Sequence, residues 1–358
     1  MGAVVEPALV AERHAVTLTV SAPVDTGTAG GRRSRLRPAA RLLGRRCLVA
    51  VPTVVLVSLG VFAIAAASPF EPLAAHLGAN YQSATQSQRD AVRAAYDLDQ
   101  NWFQAWLSWW GHLLTGDLGW STTRSQPVSD VIAERLPFTL GMASAALLSA
   151  AVISVVLGAV IGMRRGGFLD RCVTALAAML AATPPFVVSL LLVSVFAVSL
   201  GAFPTSGARR PGDPYTVEGI VSHAVLPFIA LTVSMIPWLL LTMRSAVVEA
   251  VASDAVRAAR ARGIGGWVLL RGHVVGVSVL PTLALLGTRL PELIAGAAIV
   301  ETVFGWPGLA QALVDSAVAL DFPLLAALAV GAAVLVLVGS ALSDAAAVWL
   351  DPRIGMTA

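Results

Sequence analysis

Long apolar runs separated by short arginine-bearing connections set the pattern of this chain. The runs lie at 47–67, 137–163, 172–200, 222–247, 275–299 and 324–350. Each is long enough for a helix to cross a hydrocarbon layer about 30 Å thick. The expected fold is therefore all-α, a polytopic membrane protein of six transmembrane helices. A closed barrel would need segments of about ten residues alternating in polarity, a pattern these continuous runs do not have. Helices also satisfy their own backbone groups in lipid.

Two polar stretches interrupt the pattern. The segment 68–136 is too long for a turn, and its part from Ala91 to Leu118 sets Trp102, Trp106, Trp109 and Trp110 among polar residues. It predicts one or two amphipathic helices, with the tryptophans as interfacial anchors. The second stretch, Ser253 to Gly263, is a charged helix pattern of roughly 15 Å between apolar runs. Ser253 is suited to the N-cap, Asp254 to the first turn, Arg260 and Arg262 to the last, and Gly263 to the left-handed stop. Ala255, Ala258, Ala259 and Arg262 share the i, i+3, i+4, i+7 spacing of one small, flat face. Such a helix suits docking into a partner's groove, and equally lying on anionic lipid.

Arginine sets the orientation. With the N-terminus inside, Arg32, Arg33, Arg35, Arg37, Arg41, Arg45 and Arg46 precede the first run, Arg164, Arg165 and Arg171 flank the next inner loop, and Arg244, Arg257, Arg260, Arg262 and Arg271 fall around the third. The short outer loops hold only Arg209 and Arg210. The expected organisation is a largely mobile cytoplasmic extension at 1–46 and a membrane domain at 47–350. That domain includes an external loop at 68–136 and a cytoplasmic loop at 248–272, and a cytoplasmic tail follows at 351–358. Arginines before an apolar run ending Ala63 to Ser68 also suit a cleaved secretory signal. The leader is too long for an ordinary one, and an uncleaved first span fits better.

Hydrophobic residues make up 57% of the chain, charged residues 13%, and mean hydropathy is +0.78. All 24 cationic side chains are arginine, and lysine is absent. A standard phosphate-binding loop needs its lysine and Schiff-base chemistry needs an amine, so any ATP chemistry must belong to a partner. Cys47 and Cys172 read as small hydrophobes, and His14, His76, His112, His223 and His273 lack ligand spacing. No metal, cofactor or nucleic acid is expected on this chain.

Arg257 to Gly263, followed by His273 and Leu280-Pro281, resembles the cytoplasmic "EAA" loop of permease subunits in binding-protein-dependent ABC importers. Gly116-Asp-Leu-Gly-Trp-Ser121, Gln126 to Pro137, Glu301-Thr-Val-Phe-Gly-Trp-Pro-Gly308 and Trp349-Leu-Asp-Pro-Arg353 resemble, in that order, hallmarks of the dipeptide/oligopeptide/nickel branch, and the oligopeptide "B" type in particular. The likeness runs from about Arg41 to Gly355. It implies the type I ABC importer architecture with a cytoplasmic coupling helix. The implied partners are a second homologous permease, two cytoplasmic ATPase subunits that hold ATP and Mg, an external solute-binding protein, and the lipid of a bacterial cytoplasmic membrane. It assigns Asp254, Arg257, Ala259, Arg260, Arg262 and Gly263 to ATPase coupling, and Pro281 to the start or a bend of the fifth span. Short peptides are the implied substrates, with nickel chelates and glutathione-like solutes still open.

The chain departs from the family at two places. Gly276 and Val277 stand where a basic and an amide residue are usual, and Arg289-Leu-Pro-Glu292 falls inside the expected fifth span. An arginine at the centre of a span costs about 2.5–3.5 kcal/mol on insertion scales unless paired or hydrated. Arg289 and Glu292, at i and i+3, can neutralise each other. They either line the translocation path or pair at the interface with the second permease. A proton- or sodium-driven carrier would call for inverted repeats with interrupted helices and a midplane carboxylate, and no such internal symmetry is evident. A membrane-embedded enzyme would call for a convergent nucleophile and base, which the spacing does not offer.

Overall fold

The computed structural model describes residues 33–67, 77, 82–95, 101–319 and 321–350. The first helix, α1, runs from Arg33 to Ala67, with its apolar part at Leu48–Ile64. It therefore takes in part of the extension expected to be mobile, while 1–32 and the tail 351–358 lie outside the described residues. Two short helices, α2 (Gln86–Ala95) and α3 (Trp102–Leu114), and a hairpin of β1 (Trp120–Ser121) with β2 (Gln126–Pro127) lead into α4 (Val128–Met163). Then come α5 (Phe168–Ala181), α6 (Pro185–Leu192) with a π-helical end at Val193–Ser199, and α7 (Val217–Ala252). The remaining helices are α8 (Asp254–Ala261), α9 (Gly266–Leu269) with a π turn at Leu270–Val275, α10 (Gly276–Thr288), α11 (Leu290–Phe304), α12 (Leu309–Val318) and α13 (Phe322–Leu350).

Among the described residues, four helices are long and apolar enough to cross a membrane: α4, α7, the continuous stretch Gly266–Leu286, and Phe322–Ala341 of α13. Two bent pairs raise this to as many as six. The expected third span, 172–200, is not one straight helix: α5 and α6 meet at 104°. Pro184 and Pro185 cannot donate to the preceding turn, and Pro184 is the N-cap of α6. The expected fifth span, 275–299, also divides, because α10 ends at Thr288 and α11 begins after Arg289. Pro291 sits in the first turn of α11, where its missing N–H costs no bond. The pair α11–α12, bent by 72°, had no counterpart in the hydropathy reading.

The core forms where α4 and α7 lie side by side. Ala146, Ala150, Ala230, Leu231 and Leu239 are buried there together with Leu293, Ala297 and Phe304 of α11. Toward the end of α4 the two backbones come closest. A Cβ on Gly158 would lie 2.8 Å from Met243 Cβ, and one on Gly162 would lie 2.7 Å from Val247 Cγ1. Glycines four apart let membrane helices approach this closely and gain dispersion contacts along the seam.

The tryptophan helix α3 exists as expected, but its tryptophans are not all interfacial anchors. Trp106 and Trp110 both donate to Ser58 Oγ of α1, at 3.0 and 3.1 Å, and Trp109 is buried beside Phe62. Only Trp102 of the four is exposed. The expected first span, 47–67, is a shorter apolar helix among the described residues, Leu48–Ile64 of α1, and a buried hydroxyl with two indole donors holds α3 against it more firmly than apolar contact alone.

Candidate functional site

Helix α8 begins at a joint made by one side chain. Ser253 ends α7 and caps α8: its hydroxyl donates to Ala250 O at 2.6 Å and accepts from Val256 N at 3.4 Å. The helix stops at Gly263, whose φ of 80° is in the left-handed region. Gly263 N donates to Arg260 O at 2.9 Å and Ile264 N to Ala259 O at 3.1 Å, the paired bonds of a Schellman stop. A Cβ at 263 would meet no atom within 4 Å, so glycine is favoured there by backbone conformation rather than by space.

Val256 and Ala259 are fully buried in a cluster with Ala159 and Met163 of α4, Met243 and Val247 of α7, and Leu269 and Val274. Burying the valine alone is worth about 1.5–3 kcal/mol. The inward face is thus Val256–Ala259, rotated from the expected small face. Ala259, expected to touch a partner, seats the helix on its own chain instead. Asp254, Arg257, Arg260, Arg262 and Gly263 are all exposed, and Asp254 pairs with Arg257 on the surface. The result is a rod held by one face, with its charges and its stop outward.

A second polar cluster, partly exposed, lies where α7 meets the break between α10 and α11. Arg289, at the break between α10 and α11, pairs with Glu292 and stacks over Trp238 of α7, with its guanidinium carbon 4.3 Å from the ring centre. Glu292 and Trp238 line a cavity of about 320 Å³, walled also by Thr183 and Pro184 at the α5–α6 bend and by Gly296. The structure brings together the two charges expected to neutralise each other, and adds an aromatic face that spacing alone did not reveal.

Residues 154–356 match the family described as the inner membrane component of binding-protein-dependent transport systems, over more than half of the chain. The chain belongs to this family. It is similar to the oligopeptide transport system permease AppB of Bacillus subtilis, at 31% identity over 311 residues, 87% of this chain and 98% of that one. It is 30% identical to the dipeptide transport system permease DppB of Lactococcus lactis over 271 residues, 75% of this chain and 86% of the relative. With the glutathione transport system permease GsiC of Escherichia coli it shares 31% identity over 284 residues, 79% and 88% of the two chains. The protein is a multi-pass membrane permease, a transport component rather than an enzyme.

Three buried carboxylates of the permease escaped the sequence reading. Glu301 accepts from Thr139 Oγ1 at 2.7 Å and from Ala310 N and Gln311 N at 2.9 and 3.1 Å, so it caps α12 while bonding to α4. Thr139 also accepts from Leu309 N at 2.8 Å. Asp321 accepts from Ser121 Oγ, Thr123 Oγ1 and Thr123 N at 2.6, 2.7 and 3.0 Å, which ties the hairpin to the start of α13. Asp170 binds Arg244 of α7 through two bonds, Nε–Oδ1 at 2.5 Å and Nη2–Oδ2 at 2.8 Å. The run Glu301 to Gly308 did stand out as a motif, yet nothing in its spacing names Thr139 as the partner.

Proposed function

We propose that this chain is one of two permeases in an ATP-driven importer, with both termini cytoplasmic and α8 as the coupling helix that docks on a partner ATPase. The observation that carries the reading is the seat of α8. A short charged rod is fixed to the ends of α4 and α7 by Val256 and Ala259, and it presents Asp254, Arg257, Arg260, Arg262 and Gly263 outward. A force applied to that face passes into α7 through the Ser253 joint rather than being absorbed by a loop. ATP and Mg²⁺ are held by two ATPase subunits. A loaded binding protein docks on the opposite side, and the helices rock as ATP closes and hydrolysis releases the ATPase pair.

Arg289 and Glu292 line the translocation path in this reading. A partly exposed ion pair beside an aromatic ring offers partners to both ends of a zwitterion, which fits short peptides as substrates. Peptide, oligopeptide and dipeptide transport in the names of relatives supports that class. Glutathione, itself a short peptide, falls within it.

Gly263→Trp and Asp254→Arg, assayed in proteoliposomes with the partner subunits, are expected to leave assembly intact while hydrolysis no longer drives uptake. Normal uptake with normal substrate-stimulated hydrolysis in both variants would sink the coupling assignment. For the path, Arg289→Gln and Glu292→Gln are expected to change the rate or substrate preference of uptake. Unchanged rate and preference in both would remove these residues from it.

A further inference from the structure

We infer that the Asp170–Arg244 pair is a strut that makes α5 and α7 move as one body, so that displacement of α8 reaches the wall of the cavity lined by Trp238 and Glu292. The inference rests on the coupling role proposed for α8 and adds the route by which its motion travels.

Arg244 stands where three helices meet. Its backbone carbonyl lies 3.1 Å from where a Cβ on Gly162 of α4 would be, and its guanidinium grips Asp170 in the first turn of α5. Asp170 is 2% exposed and also accepts from Gly166 N at 2.8 Å and Thr174 Oγ1 at 3.3 Å, so every bond direction of the carboxylate is engaged. A planar two-bond pair resists rotation as well as separation, which a single hydrogen bond or apolar contact does not. Ile161, Ala177 and Leu240 form a buried apolar cluster that also joins α4, α5 and α7.

The two helices that the pair joins lead to one cavity from two sides. From Arg244, α7 continues one way to the Ser253 joint and α8, and the other way to Trp238, which lines the cavity. From Asp170, α5 runs to Leu180 and Ala181, which form the facing wall at the bend. Without the strut, α8 would still pull α7, but the α5 wall would lag and the cavity would shear instead of opening.

The test uses the complete transporter with its binding protein and ATPases. Native Cys172 on α5 is exposed and can carry one spin label, with a second at Ala252→Cys and Cys47→Ser to remove the other thiol. In the otherwise native chain the label distance is expected to change by less than about 3 Å between nucleotide-free and ATP-trapped states, as for helices that move as one body. In Asp170→Asn it should change by more than that, and uptake per ATP hydrolysed should fall about tenfold while hydrolysis stays within about twofold; the tenfold loss equals about 1.4 kcal/mol of coupling. Arg244→Lys, which keeps the charge but not the planar pair, should fall between.

A larger distance change in the native chain would overturn the strut, as would Asp170→Asn with native coupling. Loss of assembled complex in both Asp170→Asn and Arg244→Lys would also overturn it, because the pair would then serve folding alone. If Gly263→Trp uncouples while Asp170→Asn does not, the strut fails and the coupling assignment stands. If Gly263→Trp has no effect, the coupling assignment itself fails.

Discussion

At the end of α4 that carries the hairpin, Glu301 and Asp321 are buried among neutral donors: threonine and serine hydroxyls and backbone N–H groups. At the end that carries α8, Asp170 is buried against an arginine. The neutral sets bind loops and helix starts to one fixed place, as caps do. The charged pair ties the first turn of α5 to the long helix α7, and Asp170 also holds the turn at Gly166. One end is stitched so that its turns keep their shape, and the other is braced so that its helices keep their angle.

Breaking the stitched end should have the largest effect on stability. A Cβ at Gly308 would fall on the Glu301 carboxylate, so Gly308→Ala should expel it and leave Ala310 N, Gln311 N and Thr139 without an acceptor. A loss of about 3 kcal/mol is expected, read as a lower unfolding temperature of the detergent-solubilised complex. An unchanged temperature would mean that Glu301 does not hold the α11–α12 bend. Asp321→Asn keeps one acceptor oxygen but loses the charge, and should cost about 2 kcal/mol; faster proteolytic nicking at 121–126 would report the loosened hairpin.

The braced end offers a smaller and more selective change. Gly162→Ala inserts a methyl against Val247 and should cost about 1–2 kcal/mol by overpacking. It should leave the hairpin's protease resistance untouched, so a hairpin that loosens in this variant would show that the two ends are not independent. Least of all, Arg257→Gln should shift stability by less than about 0.5 kcal/mol, because its pair with Asp254 is exposed on both sides. A loss above about 1 kcal/mol would mean that the outer face of α8 has a structural role as well.

The parts of the fold that hydropathy exposed are those where burial follows composition. Spans in α4, α7 and α13 are continuous apolar runs, and the charged island from Ser253 to Gly263 is the helix that its cap and stop residues specify. The bends were not legible for a physical reason. Apolar residues on both sides of Pro184 and of Arg289 satisfy a hydropathy window whether the helix continues, turns by 104° as at Pro184, or breaks as at Arg289. The rotation of α8 was equally hidden, since Val256 and Ala258 are both small and apolar, and only the neighbours Met243 and Val247 decide which one is covered. Asp170 and Arg244 are 74 positions apart, so no local spacing announces their pairing. The Arg289–Glu292 contact, at i and i+3, was readable because a helix alone brings those positions together.

If the outward face of α8 meets an ATPase subunit, a cysteine scan along the helix reads that contact residue by residue. Single cysteines at 254, 256, 257, 259, 260 and 262, introduced with Cys47→Ser and Cys172→Ser and carrying a short photo-crosslinker in the assembled transporter, should give adducts to an ATPase subunit at 254, 257, 260 and 262 and none at 256 and 259. Adducts to lipid or to no protein at the four exposed positions, with the ATPase subunits present and active, would contradict it.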